Sequence, residues 1–179
     1  TDIGAHKVKS EVSIAASGGV TPSKQLVISG HAGNAEIDTT ADMSAKELAA
    51  AVNAKASSTG VQATAVTKAK LSGLSEVGKI SFKVNGESIG TVAISNKDDL
   101  RSLRDAINTK TTSTGVSASL GDDASEIILT DSTGKNIEIT DYTAADSGAA
   151  AEADLTVTAL EADGTAGTDI DLKGDASVD

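Results

Sequence analysis

Apolar and polar residues alternate along much of this chain. Val8, Val12 and Ile14 share one parity, as do Ile80, Phe82 and Val84, then Val116, Ala118 and Leu120, then Ile127 and Leu129, then Ile137 and Ile139. A period of two marks strands that bury one face and wet the other, because successive side chains leave a strand on opposite sides. Leu26 to Ile28, Leu155 to Val157 and Ile170 to Leu172 give three further predicted strands. Asn85-Gly86, between Ile80–Val84 and Ser88–Ile94, is the strongest hairpin signal, since both central positions of a type I′ turn need positive φ. His31 to Asn34 and Asp131 to Gly134 read as looser turns.

In two places the spacing becomes helical. Ser44 stands three residues before Glu47, the spacing of a capping box, and predicts a helix over 45–56 with Leu48, Val52 and the intervening alanines inward and Lys46, Glu47 and Lys55 in water. A second helix is predicted to start at Asn96 or Asp98, where Asp98 and Asp99 suit the positive end of the helix dipole, and to carry Leu100, Leu103 and Ile107 inward. Both helices are expected to stop at a glycine, Gly60 and Gly115, the residue that most easily turns left-handed.

These two regions are copies. Leu48, Val52, Asn53, Lys55, Ser58, Thr59, Gly60, Val61 and Ala63 recur as Leu103, Ile107, Asn108, Lys110, Ser113, Thr114, Gly115, Val116 and Ala118, every pair 55 positions apart. A helix end, a Ser-Thr-Gly turn and a strand start thus form one supersecondary unit used twice. The predicted fold is α+β, mainly antiparallel strands with two short helices, arranged as two similar ββαβ-type repeat units over 23–72 and 73–142. Residues 1–22 and 143–179 are expected to pair as a strand-built base, with 143–153 a short helix or a connector. Such a base suits an insertion into a longer chain, because the chain comes in and goes out at one place. The polar start without Met agrees with an excised piece of a longer protein.

Composition sharpens this picture mostly by exclusion. Phe82 and Tyr142 are the only aromatics and Met43 the only methionine among 179 residues, so the core must be built from Ile, Val, Leu and Ala. At this length roughly 70% of the unfolded surface can be buried. A core so poor in rings offers little grip for a nucleobase or another flat ligand. The net charge of −11 opposes nucleic acid and anionic membrane surfaces as partners, and no apolar run approaches a membrane span. Without cysteine there is no disulfide, thiolate nucleophile or zinc–thiolate site, which fits a cytosolic chain and equally one exported unfolded.

Candidate chemistry is sparse. His6 and His31 are far apart and have no evident converging partners, Ser58 and Ser113 are explained as turn residues, and no phosphate-cradling glycine motif occurs. The acidic groups at Asp98-Asp99, at Asp122-Asp123 and from Asp163 to Asp171 read as solvated surface; the last lacks the spacing and terminal Glu of a calcium loop. Paired carboxylates for glycoside hydrolysis would need a cleft, usually lined with aromatics. Thr39-Thr40, Ser57 to Thr59 and Thr109 to Thr114 could carry O-glycans, with no acceptor singled out. The expectation is therefore a protein that is not an enzyme, with no catalytic residue, metal or cofactor.

The run Ile80-Ser-Phe-Lys-Val-Asn-Gly-Glu-Ser-Ile-Gly-Thr-Val, then Ala106-Ile107-Asn108, Thr114-Gly115-Val116-Ser-Ala, Ile127-Ile128-Leu129-Thr and Gly134-Lys-Asn-Ile137 resembles the hook IN motif of flagellins and flagellar hook-associated proteins. Ile107-Asn108 carries the Ile-Asn pair that names the motif, and Val52-Asn53 replaces Ile by Val in the first copy. The motif positions are then Val52, Asn53, Gly60, Val61, Ile107, Asn108, Gly115 and Val116, with Asn85 and Gly86 as the turn. The resemblance implies a surface-exposed, antigenic domain of an extracellular filament subunit, or of a hook-associated or filament-cap protein. It implies other flagellin subunits as partners, met through helical parent-chain regions absent here, so that the fragment itself would be monomeric. Host surfaces, immune receptors and antibodies are the outside partners it suggests. The rival expectation is an adhesin-like module that contacts glycan or protein through a loop face.

Overall fold

The structure, a computed structural model, describes residues 25–40, 43–145, 153–161 and 164–173. The expected strand at Val8 to Ile14, His6, the N-terminal half of the expected base, most of 143–153 and Asp163 lie outside the described residues.

The described residues open on a two-stranded hairpin, β1 (Leu26–Gly30) and β2 (Gly33–Ile37), in which Gly30 faces Gly33. Only His31 and Ala32 remain in the turn, so it is tighter than the sequence suggests. Helix α1 (Ala45–Ala54) follows, with its capping box formed: the Glu47 N–H donates to Ser44 Oγ at 3.3 Å, and the Ser44 N–H donates to Glu47 Oε2 at 2.8 Å. Those donors, the Ser44 backbone before its hydroxyl, hold the Glu47 carboxyl below the usual carboxylate range.

Each predicted helix is a pair of segments. After α1 the chain breaks at Lys55 and makes one turn, α2 (Ala56–Thr59); after α3 (Arg101–Asn108) it breaks again and makes α4 (Thr111–Thr114). Among the described residues there are therefore four short helices rather than two. The second also starts later than expected. Asn96 Oδ1 accepts the Asp98 N–H and Asp99 Oδ1 accepts the Arg101 N–H, so these side chains close local turns ahead of the helix. Leu100, fully buried, holds the cap position and donates its N–H to the Ala124 carbonyl at 2.7 Å.

Two antiparallel sheets carry the rest. The larger has the order β11-β10-β3-β8-β7, built from β3 (Thr67–Ser72), β7 (Ser117–Leu120), β8 (Ile127–Asp131), β10 (Leu155–Leu160) and β11 (Ala166–Leu172). In the smaller, β4 (Gly78–Val84) pairs with β5 (Glu87–Ser88) and β6 (Val92–Ile94), and also with β9 (Ile139–Ala145). Helix α3 touches β6 of one sheet and β7 of the other. Its Leu103 and Ile107 are completely buried among Ile80, Phe82, Ile127, Leu129 and Leu155. A second, smaller core joins the first hairpin to α1 through Ile28, Ile37, Val52, Val61 and Ala63.

β3, the last strand within the expected first unit, pairs with β8 on one side and β10 on the other, and its Ala69 and Leu71 belong to the larger core. The C-terminal strands β10 and β11 extend this same sheet.

Phe82 sits in the larger core and Tyr142, partly buried, packs against it, their ring centroids 6.3 Å apart. The Tyr142 hydroxyl donates to the Ala153 carbonyl at 2.6 Å. Burial, aided by the Asp154 carboxylate, pushes this phenol well above its ordinary value near 10. Because Tyr142 is the only tyrosine and there is no tryptophan, ultraviolet absorbance reads it directly. The native phenol should remain un-ionised at pH about 10, where the denatured chain is half phenolate. A raised native value also means that stability is complete below the unfolded pKa and declines as pH climbs towards the folded one. Coincident native and denatured titrations would refute the burial of this ring.

Candidate functional site

The chemistry of the repeated segment turns on two asparagines. Asn53 closes the last turn of α1 and Asn108 that of α3. Each side-chain amide has one donor group and one acceptor, the same complement as a peptide unit. Asn53 Nδ2 donates to the Ala63 carbonyl at 2.9 Å, and its Oδ1 accepts the Ala63 N–H at 2.8 Å. Asn108 repeats the pair on Ala118, with 2.8 Å for both bonds. The asparagine thus stands where a neighbouring strand's backbone would stand. Both copies reach across ten residues to do so.

The residue before each asparagine explains the other half of the motif. Val52 and Ile107 have no exposed surface and enter the smaller and larger cores respectively. Consecutive helical residues point about 100° apart. One side chain can therefore anchor the helix inward while the next reaches sideways to the strand. Valine suffices in the first copy, whose core has five buried members.

The turn that returns the chain to the clamp is also the same twice. Gly60 and Gly115 are left-handed, with φ of 71° and 75°, and donate their N–H groups to the carbonyls of Ala56 and Thr111. Buried Thr59 and Thr114 accept the N–H groups of Val61 and Val116 on their hydroxyls at 3.2 and 3.1 Å. Val61 and Val116 then enter the cores. The motif positions expected from the sequence include these glycines and valines but not the threonines, which stand beside them in the repeat. Their signal was present in the 55-residue repetition, obscured because hydroxyls before glycine are ordinary in turns.

Hairpins dock on this turn in both copies, by different means. In the first, the Ala32 N–H donates to the Thr59 carbonyl at 3.3 Å, and a Cβ on Gly30 would lie only 1.9 Å from that oxygen. In the second, Asn85 Nδ2 donates to the Thr114 carbonyl at 2.9 Å. Asn85 and Gly86 form the expected turn, with φ of 50° and 83°. Asn85 also accepts the Glu138 N–H at 2.8 Å on Oδ1, so one residue makes the turn and fastens it to the start of β9. The turn after β8 meets α1: the Lys46 N–H donates to the Gly134 carbonyl at 2.9 Å.

Other candidate groups occupy plain positions. His31 lies with its ring over Gly60, and Asp131 receives the Thr133 N–H and hydroxyl on Oδ1 while its buried Oδ2 lies near Gly115. Asp123 is held below the usual carboxylate range by the hydroxyl and N–H of Ser125. A polar groove of about 470 Å³ borders Ser44, Glu47, Asn85, Thr114, Lys135 and Glu138. Among the described residues no three metal-ligating side chains converge, and no helix is long and apolar enough to cross a membrane.

The clamps lie on the wet side of their helices, so their loss can be partly repaired by water. Asn53→Ala and Asn108→Ala should each lower the unfolding free energy by about 1–2 kcal/mol, the worth of two hydrogen bonds of this kind. Faster amide exchange confined to Ala63 and Ala118, respectively, identifies the lost contact; unchanged exchange there would sink the clamp. Alanine at Gly60 or Gly115 incurs about 1–2 kcal/mol for the left-handed backbone. Gly60→Ala should cost more, because its Cβ would lie 2.1 Å from the His31 ring, against 3.3 Å to Asp131 at Gly115. Removing the ring with His31→Ala should bring the two glycine variants together in a denaturant titration.

The sequence matches the family model described as the flagellin hook IN motif twice, over residues 25–75 and 79–133, more than half of the chain. No curated protein matches it significantly. With Asn53 and Asn108 both acting as clamps and both matches covering their helices and turns, the chain belongs to the flagellin hook IN motif family and is a flagellin-type structural domain.

Proposed function

We propose that this domain forms the solvent-facing, variable part of a flagellar filament subunit, where it acts by shape, bulk and surface charge. The observation that carries this reading is the doubled clamp itself. The family-specific polar residues, Asn53, Asn108 and Asn85, are bonded to backbone groups of their own chain. A net charge of −11 supplies an acidic, hydrated exterior. On this reading, assembly with other flagellin subunits runs through other parts of the parent chain. The domain serves motility as a tolerated insertion and presents the filament's antigenic face.

Export in an unfolded state agrees with the cysteine-free sequence, since no bridge can lock the chain before it folds.

Antibodies raised against this domain should label intact filaments along their whole length in electron micrographs, without permeabilising the cells. Label restricted to the filament tip or the hook junction would assign the domain to a hook-associated or cap protein instead. Label found only inside the cell would refute an outer location altogether.

A further inference from the structure

Six asparagines occur in the chain, and Asn85 alone is followed by glycine. That pairing is chemically labile, because the next backbone nitrogen can attack an asparagine amide and glycine has no Cβ to obstruct the approach. Gly86 is exposed, with nothing within 4 Å of where its Cβ would stand, and the turn borders the polar groove beside Lys135 and Glu138. Water therefore reaches it. Asn85 itself is held at three points. Its N–H donates to the Glu138 carbonyl at 2.9 Å, its Oδ1 accepts the Glu138 N–H at 2.8 Å, and its Nδ2 donates to the Thr114 carbonyl at 2.9 Å. Ring closure joins the Gly86 nitrogen to Cγ, so it must draw the side chain off Thr114 and Glu138 and reset the torsion inside the turn that pairs Val84 with Glu87.

We propose that Asn85 is a modification site of the unfolded chain, converted to aspartate or isoaspartate through attack by the Gly86 nitrogen, and that docking of the hairpin on Thr114 and Glu138 protects it in the folded domain. The Gly86 amide gives its proton to a solvent base and its nitrogen bonds to Cγ. The Cγ–Nδ2 bond breaks, and that nitrogen leaves as ammonia with a proton from water. Water then opens the cyclic imide. Opening at Cγ restores the main chain with an aspartate; opening at the backbone carbonyl leaves the chain running through Cγ as isoaspartate. The balance is one water taken up and one ammonia released, with no oxidation. Either product lacks Nδ2, so a carboxylate replaces the donor that the Thr114 carbonyl requires. Isoaspartate also lengthens the main chain in the turn, which offsets the pairing of Lys83 with Ser88.

The full chain can be incubated in water labelled with heavy oxygen at mildly alkaline pH, folded in buffer or unfolded in guanidinium, and its peptides read by mass spectrometry. Residue 85 should take up label at least about tenfold faster in guanidinium than in the folded domain, where the reaction must wait for local opening. The other asparagines should lag behind it in guanidinium. Uptake at residue 85 that is equal in the two states, or absent from both, would overturn the proposal, as would another asparagine leading in guanidinium. Gly86→Ala, read in guanidinium where its backbone strain has no effect, should slow the reaction roughly tenfold, and an unchanged rate would remove Gly86 as the attacking residue. Chains converted in guanidinium and returned to buffer should unfold at a lower denaturant midpoint than unconverted chains, as should Asn85→Asp. Identical midpoints would show that the amide does not hold the hairpin, and the protection assigned to docking would fall with it.

Discussion

A backbone segment at the margin of a fold needs partners for its N–H and C=O groups, and in this protein two asparagines supply them. At Ala118 the partner is needed because β7 is the edge strand beyond β8, and an edge residue turns one set of backbone groups outward. At Ala63 it is needed because residues 61–66 belong to no strand. The same side chain at the same spacing therefore answers two different deficits. In both it also fixes how far the chain travels after the helix before it rejoins the core. The Ile-Asn pair is best understood as an anchor and a reach: the hydrophobe sets the helix against its core and the amide measures out the return path.

That division explains why a core with only two aromatic residues is adequate. Branched aliphatic side chains pack in thin layers, and such layers hold their position only if the elements bearing them are fixed in register. The clamps, the threonine-capped turns and the Asn85 contact with Glu138 fix those registers by directional bonds. Packing then fills the space between them. The strand exchange at β3 has a similar effect on a larger scale, because the last strand of the first motif copy is held between β8 and β10. The first unit's own core is small, and a covalent neighbour embedded in the larger one ties it down.

What could be seen in the sequence were the features that depend on near neighbours. The capping box at Ser44, the Asn85-Gly86 turn, the left-handed Gly60 and Gly115 and the strand alternation around Phe82 are all decided within a few residues, and all appear in the structure. The misplaced start of the second helix shows the limit. Asn96 and Asp98 have good capping chemistry, but a tertiary bond from Leu100 to Ala124 fixes the start further along. No proline or glycine marks the breaks at Lys55 and Lys110, so those were invisible. The clamp was half visible: Asn53 and Asn108 stood out by repetition, whereas their contact with Ala63 and Ala118 depends on how the intervening turn folds back.

The contrast between the two copies shows which parts of the motif are fixed by physics. Docking of a hairpin on the Thr59 or Thr114 carbonyl is kept, yet a backbone N–H does it in one copy and the Asn85 side chain in the other. A strand follows the clamp directly in the second copy but only after several residues in the first. The asparagine, the threonine and the left-handed glycine are retained because each meets a backbone group that nothing else nearby can reach. Outside that triad the copies differ in how the hairpin docks and in where the next strand begins. A small set of shared backbone contacts therefore sets the geometry of both copies, while the elements joined to it differ.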